Sequence, residues 1–245
     1  MQDDFNKYAV SSGLPNSMVT DYRNHFNSIT PVIIDERKDN IAMIDVFSKL
    51  MSNRIIYLGT GVDDYVANVM NAQLLYLSHQ DPKAPITIYI NSPGGSVYAG
   101  LGIYDTLKYI ESPIHTVNTG IAASMAAVIL AAGDNGNRKS LKHARTMIHQ
   151  PMGGAWGQAS DMEITTKEVL KLKKELYICL SNDTGKSIIE IENDADRDYW
   201  LTAVEAKKYG LIDSVIADHK TKIVKKKVVA KKPTKKTVTK KPVKK

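Results

Sequence analysis

Two segments hold residue types suited to nucleophilic chemistry. In Gly120-Ile121-Ala122-Ala123-Ser124-Met125 a serine stands among small residues, immediately before the apolar run Ala126–Ala132. In Met147-Ile148-His149-Gln150-Pro151-Met152-Gly153-Gly154 a histidine closes a short apolar run ahead of proline and glycine. A hydroxyl is a poor nucleophile until an imidazole takes its proton, so this pair is what a serine hydrolase needs. Ala122, Ala123 and Ala126 leave room beside the Ser124 hydroxyl. The N–H groups opening the next helix aim at the same point, where they would stabilise an oxyanion. The plainer reading of Ser124 is an ordinary helix N-cap.

The base and the third member are less determined. The chain has six histidines, and His143 and His115, each beside an expected strand, compete with His149. The run Glu190-Ile191-Glu192-Asn193-Asp194-Ala195-Asp196-Arg197-Asp198 is dense in acids that could orient an imidazole, and composition selects none of them. The turn Asn91-Ser92-Pro93-Gly94-Gly95-Ser96 offers a second set of backbone donors, because glycines let the main chain approach a ligand closely. The glycine spacings of dinucleotide and phosphate loops are absent, and no Cys/His set has zinc-ligand spacing.

These residues need elements to hold them. The spacing predicts a helix over Asp45–Met51, a strand over Arg54–Leu58 ended by Gly59-Thr60-Gly61, and a helix over Asp63–Ser78. A strand over Ile86–Ile90, a helix from near Ser96, a strand over Ile114–Asn118, a helix over Ser124–Ala132 and a strand over Thr146–His149 follow. This alternation predicts an α/β fold of ββα or βαβ units around one core. A long helix over Ser160–Ser181 is expected after the small-residue loop Gly153–Gln158, with Ser160 or Asp161 as N-cap and Glu163 as its capping partner. Glu163–Lys167 and Lys171–Glu175 pairs would charge one face, with Ile164, Leu172, Leu176 and Leu180 on another.

With 245 residues and 43% hydrophobic side chains, the chain can build one sizeable core. The net charge of +7 belongs to one end. Thirteen lysines and no acid lie between Lys220 and Lys245, and without them 20 basic side chains face 26 acidic ones, near −6. Such a composition predicts a disordered tail over 219–245 that would meet nucleic acid, acidic protein or lipid only through charge. A polar leader over 1–28 and a folded domain over 29–218 complete the expected organisation. No apolar run approaches a membrane span, the N-terminus lacks the pattern of a secretory signal, and Cys179 is the sole cysteine; together these suggest a cytoplasmic protein.

From Thr30 to Ala217 the chain resembles the proteolytic subunit of the Clp protease. The likeness rests on Tyr-Ile-Asn-Ser-Pro-Gly-Gly at 89–95, Gly-Ile-Ala-Ala-Ser-Met at 120–125 and Met-Ile-His-Gln-Pro-Met-Gly-Gly at 147–154. Asp-Arg-Asp at 196–198 and Glu-Ala-Lys-Lys-Tyr-Gly-Leu-Ile-Asp at 205–213 continue it in order. The resemblance implies a crotonase-like α/β fold, assembled as two stacked heptameric rings (a tetradecamer) with the 160–181 helix as a handle between them. It implies a serine endopeptidase with triad Ser124, His149 and Asp194, and an oxyanion hole formed by the N–H groups of Gly95 and Met125. Unfolded polypeptide would be supplied by an AAA+ unfoldase that uses the ATP, with no cofactor in this chain, and Tyr89 and Tyr109 would help to dock that partner. In the same comparison Thr87 and Lys139 replace apolar docking positions, glycine gives way to Ala126, and Asn193 stands where an inter-ring arginine is usual. A non-catalytic ring subunit and a crotonase-fold acyl-CoA enzyme are the competing readings.

Overall fold

The computed structural model describes residues 32–37, 40–154 and 156–216; the expected leader (1–28) and tail (219–245) lie outside them. Strands β1 (Val32–Arg37) and β2 (Asn40–Asp45) form an antiparallel hairpin that the sequence reading missed. Asp45 then serves as N-cap, rather than first residue, of α1 (Val46–Ser52), accepting from the N–H groups of Phe47 and Ser48 at 3.0 Å.

The body is a mixed α/β layer structure on a seven-stranded sheet. Strands β3 (Ile55–Leu58), β4 (Ile86–Ser92) and β5 (Ile114–Ala123) run parallel and in sequence, joined by helices α2 (Asp64–Gln80) and α3 (Val97–Tyr109). In β4 the inward residues Ile86, Ile88 and Ile90 are fully buried, as a strand covered by helices requires. Strand β5 is long enough to fork the sheet. Its first half, Thr116–Asn118, pairs in parallel with β6 (Arg138–Leu141), and its last residues, Ile121–Ala123, pair in parallel with β7 (Arg145–Ile148). Helix α4 (Met125–Ala131) follows β5 directly; every one of its residues is buried, which explains its unbroken apolar sequence.

The long helix is α5 (Ala159–Thr184), starting one residue before and ending three after the expected span. Gln158 is its N-cap and makes no side-chain cap bond, so Ser160, Asp161 and Glu163 do not form the expected capping arrangement. The Glu163–Lys167 pair forms at 2.6 Å, while Lys171 turns back to Glu168 at 3.1 Å instead of forward to Glu175. Leu172, Leu176 and Leu180 are buried, whereas Ile164 is exposed: only the second half of the helix is seated on the core. Helix α6 (Ile188–Asp194), strand β8 (Tyr199–Thr202), helix α7 (Ala203–Tyr209) and strand β9 (Ser214–Ile216) complete the chain, β9 pairing with β6 and β8 with β7. Among the described residues no helix is long and apolar enough to cross a membrane.

One arginine closes the first βα unit. Arg54 has a left-handed backbone (φ 61°) and its guanidinium donates to the carbonyls of Leu77, Asp81, Ala84 and Pro85 and to Ser112 Oγ, at 2.9–3.2 Å. It thereby satisfies the open C-terminus of α2 and the loop leading to β4. A lysine lacks the fork to serve five acceptors, so Arg54→Lys should destabilise the fold by about 2–3 kcal/mol, read as a lowered thermal midpoint.

Candidate active site

Parallel strands deliver their C-terminal ends to one edge of the sheet, and three neighbours do so here. Ser92, at the end of β4, pairs with Ala122, and Ala123 pairs with Met147 of β7. The residues that follow are therefore brought together by register alone: Gly94-Gly95 after β4, Ser124 after β5 and His149 after β7. The Ser124 N–H donates to the Met147 carbonyl at 2.9 Å, locking the two strand ends at the point of interest.

Ser124 sits at φ 54°, ψ −126°, a conformation that L-residues rarely adopt, and its side chain makes no cap bond to α4. The N-cap reading therefore fails, since the hydroxyl is turned away from the helix it precedes. It donates instead to His149 Nε2 at 2.9 Å. Strain of this kind costs on the order of 1–3 kcal/mol and persists where it holds a reacting group in place. The strand–serine–helix corner has the geometry of a nucleophile elbow.

The other imidazole nitrogen has its own partner. Strand β8 runs antiparallel to β7, with Ile148 opposite Tyr199, so the residue after Ile148 faces the residue before Tyr199. His149 Nδ1–H accordingly donates to Asp198 Oδ1 at 3.0 Å. That bond fixes the neutral tautomer whose Nε2 can accept from a hydroxyl. The His149 side chain is 11% exposed and that of Asp198 60%.

The glycine turn packs against the Ser124 corner and the start of α4. Gly94 has φ 85°, and a Cβ on it would lie 2.8 Å from the Ser124 Cβ and 2.8 Å from the Met125 nitrogen. A Cβ on Gly95 would collide with the Val62 backbone, so neither position admits a side chain. Among the described residues the N–H groups of Gly95 and Met125 donate to no acceptor.

A model of the Clp protease family matches residues 37–219. The chain belongs to the Clp protease family. It is 56% identical over 216 residues to the ATP-dependent Clp protease proteolytic subunit of Bacteroides fragilis, covering 87% of this chain and 98% of that one. The subunit of the same name from Porphyromonas gingivalis is 55% identical, over 87% of this chain and 97% of its own. Proteolytic subunit 1 of Salinibacter ruber is 50% identical, over 78% of this chain and 82% of its own.

Within this family member one expected triad residue is elsewhere. The structure does not bring Asp194 to His149. It is the last residue of α6, and its Oδ2 accepts from the Tyr209 hydroxyl at 2.9 Å. Burial first, and this bond to Asp194 second, push the Tyr209 phenol well above its ordinary range, so it stays a donor. The carboxylate on the imidazole is Asp198, and the physical reason is the β7–β8 register described above. Asn193 therefore neighbours Asp194 and not the carboxylate on the imidazole; the residue before Asp198 is Arg197. The competing histidines are placed away from Ser124: His115 lies on β5 opposite Thr87, and His143 is exposed in the turn before β7.

Beside Ser124 a small pocket is lined by Val97, Val128, Ile148, Pro151, Leu176 and Leu180, with Tyr177 at one wall. The sequence signal for it was the buried leucine stripe of α5, whose seating against α4 was not readable from its own helix. Tyr109 is 80% exposed at the end of α3, and Tyr89 is half-buried on β4 beside Tyr57 of β3. Thr87 lies on β4 and Lys139 on β6, both half-buried.

Proposed function

We propose that this chain is a serine peptidase, the proteolytic subunit of an ATP-dependent Clp protease. The observation that carries the reading is the unbroken path from the Ser124 hydroxyl through His149 to Asp198, with donors of 2.9 and 3.0 Å spacing at a strained corner. Ser124 Oγ attacks the carbonyl carbon of a peptide bond while its proton passes to His149 Nε2. The oxyanion accepts from the N–H groups of Gly95 and Met125. His149 then protonates the departing amine, and Asp198 stabilises the imidazolium without taking its proton. Water, deprotonated by His149, attacks the resulting ester and returns the serine. The apolar pocket beside Ser124 suits an apolar substrate side chain.

The wider assembly belongs to the same reading. Two stacked heptameric rings would enclose the sites, with α5 as the handle between them; exposed Ile164 and Leu170 on a helix whose first turns are off the core support it. An AAA+ unfoldase would consume the ATP and feed unfolded chains, docking near Tyr89 and Tyr109, in the cytoplasm. A fluorophosphonate probe tests the chemistry. Covalent label should be found by peptide mass spectrometry on Ser124, with loss of peptide hydrolysis in proportion. Full labelling at another serine with Ser124 unmodified would sink the proposal.

A further inference from the structure

The segment that carries Asp198 is tied to the strand that carries His149 at two places. Asp198 itself is poorly anchored: it is 60% exposed, and among the described residues its carboxylate bonds to His149 alone. Its position must therefore come from its backbone, the short connection Ala195–Asp198 between α6 and β8. Beyond Asp198 the chain is held by the Ile148–Tyr199 pairing. Before it, the holding residue is Gln150. Its N–H donates to the Ala195 carbonyl at 2.6 Å, and its side-chain Nε2 donates to the Asp196 carbonyl at 2.8 Å and approaches Asp196 Oδ1 at 3.4 Å. Ala195 is fully buried and its N–H closes α6 on the Ile191 carbonyl, so that end is fixed to the core.

We propose that Gln150 is a positioning residue for the proposed hydrolysis. It acts through Asp198 by clamping the 195–198 connection to the residue next to the base. This rests on the triad reading above. The chemistry of the side chain fits the task. A primary amide donates from one nitrogen to a carbonyl and a carboxylate without adding charge beside the Asp198–His149 pair. The two flanking ties leave the intervening backbone little freedom, and orientation of a catalytic pair is lost with displacements of about 1 Å. Gln150 touches neither Ser124 nor the pocket in the described contacts; its influence is on where the carboxylate stands.

The test is steady-state hydrolysis of a short fluorogenic peptide by the full assembled chain and its variants. Gln150→Ala should lower kcat about tenfold and leave KM within about twofold, because the pocket and the oxyanion donors are untouched. Gln150→Glu keeps the length and volume but cannot donate, and should lose at least as much while unfolding at the wild-type temperature. Adding Gln150→Ala to Asp198→Asn should change kcat by less than about twofold, since the effect passes through the carboxylate already altered. Wild-type kcat in both Gln150 variants, with Asp198→Asn strongly impaired, would overturn the positioning role and leave the triad standing. So would losses that multiply in the double variant, because they would mark an independent structural tie. Wild-type kcat in Asp198→Asn would remove the triad reading itself, and this proposal with it.

Discussion

Replacing Ser124 by alanine should lower peptide hydrolysis by about 10⁴- to 10⁶-fold, the range found when a triad nucleophile is removed and only binding and oxyanion donors remain. The size follows from geometry that a helix cap would not need. The hydroxyl bonds to His149 and not to α4, and the backbone is held at φ 54°, where a plain cap would sit in the extended region. Alanine keeps that strain, so its thermal midpoint should stay near wild type. Glycine carries no such penalty at positive φ, and Ser124→Gly should be equally inactive yet more stable by about 1 kcal/mol. Inactive but more stable is the signature of a residue held for chemistry at the expense of the fold. Hydrolysis above about 1% of wild type in either variant, in preparations free of native enzyme, would rule out Ser124 as the nucleophile.

The parts of the site that were legible in the sequence are those set by short-range pattern. Small residues before Ser124, two glycines after a strand, and a histidine ending an apolar run each announce a strand end, and parallel register then gathers strand ends automatically. The fold's alternating half, from β3 to α4, was legible for the same reason. What failed depends on contacts distant in sequence. Strand β6 reads as polar because Arg138, although buried, is paired with Asp213 at 2.7 Å and satisfied by the Asp183 carbonyl, neither of which lies near it in the chain. The acid-rich stretch is the sharper case. Its five carboxylates have five different partners: Glu190 closes a capping box with Ser187, and Glu192 pairs with Lys173 at 3.4 Å. Asp194 meets Tyr209, Asp196 lies near Gln150, and Asp198 meets His149. Only the antiparallel pairing of β7 with β8 sorts them, and no local composition encodes that pairing.

Two substitutions in that stretch should therefore part widely. Asp198→Asn is expected to reduce kcat by about 10²- to 10⁴-fold with little change in stability. An asparagine can present its NH₂ to His149 Nδ1, which favours the tautomer carrying hydrogen on Nε2. That nitrogen then faces the Ser124 hydroxyl as a donor and cannot take its proton. The carboxylate is 60% exposed, so water can stand in for part of its effect, which places the expected loss below that of the serine. Asp194→Asn should behave in the opposite way. Its Oδ1 can still accept from the Tyr209 hydroxyl, whose bond weakens from charge-assisted to neutral. The expected outcome is kcat within about threefold of wild type and a loss of about 1 kcal/mol in stability. If Asp194→Asn abolished hydrolysis while Asp198→Asn spared it, the described register would not be that of the working enzyme. The pair of kcat values thus tests one structural statement, that β8 begins directly opposite the end of β7, and with it the choice of the third residue.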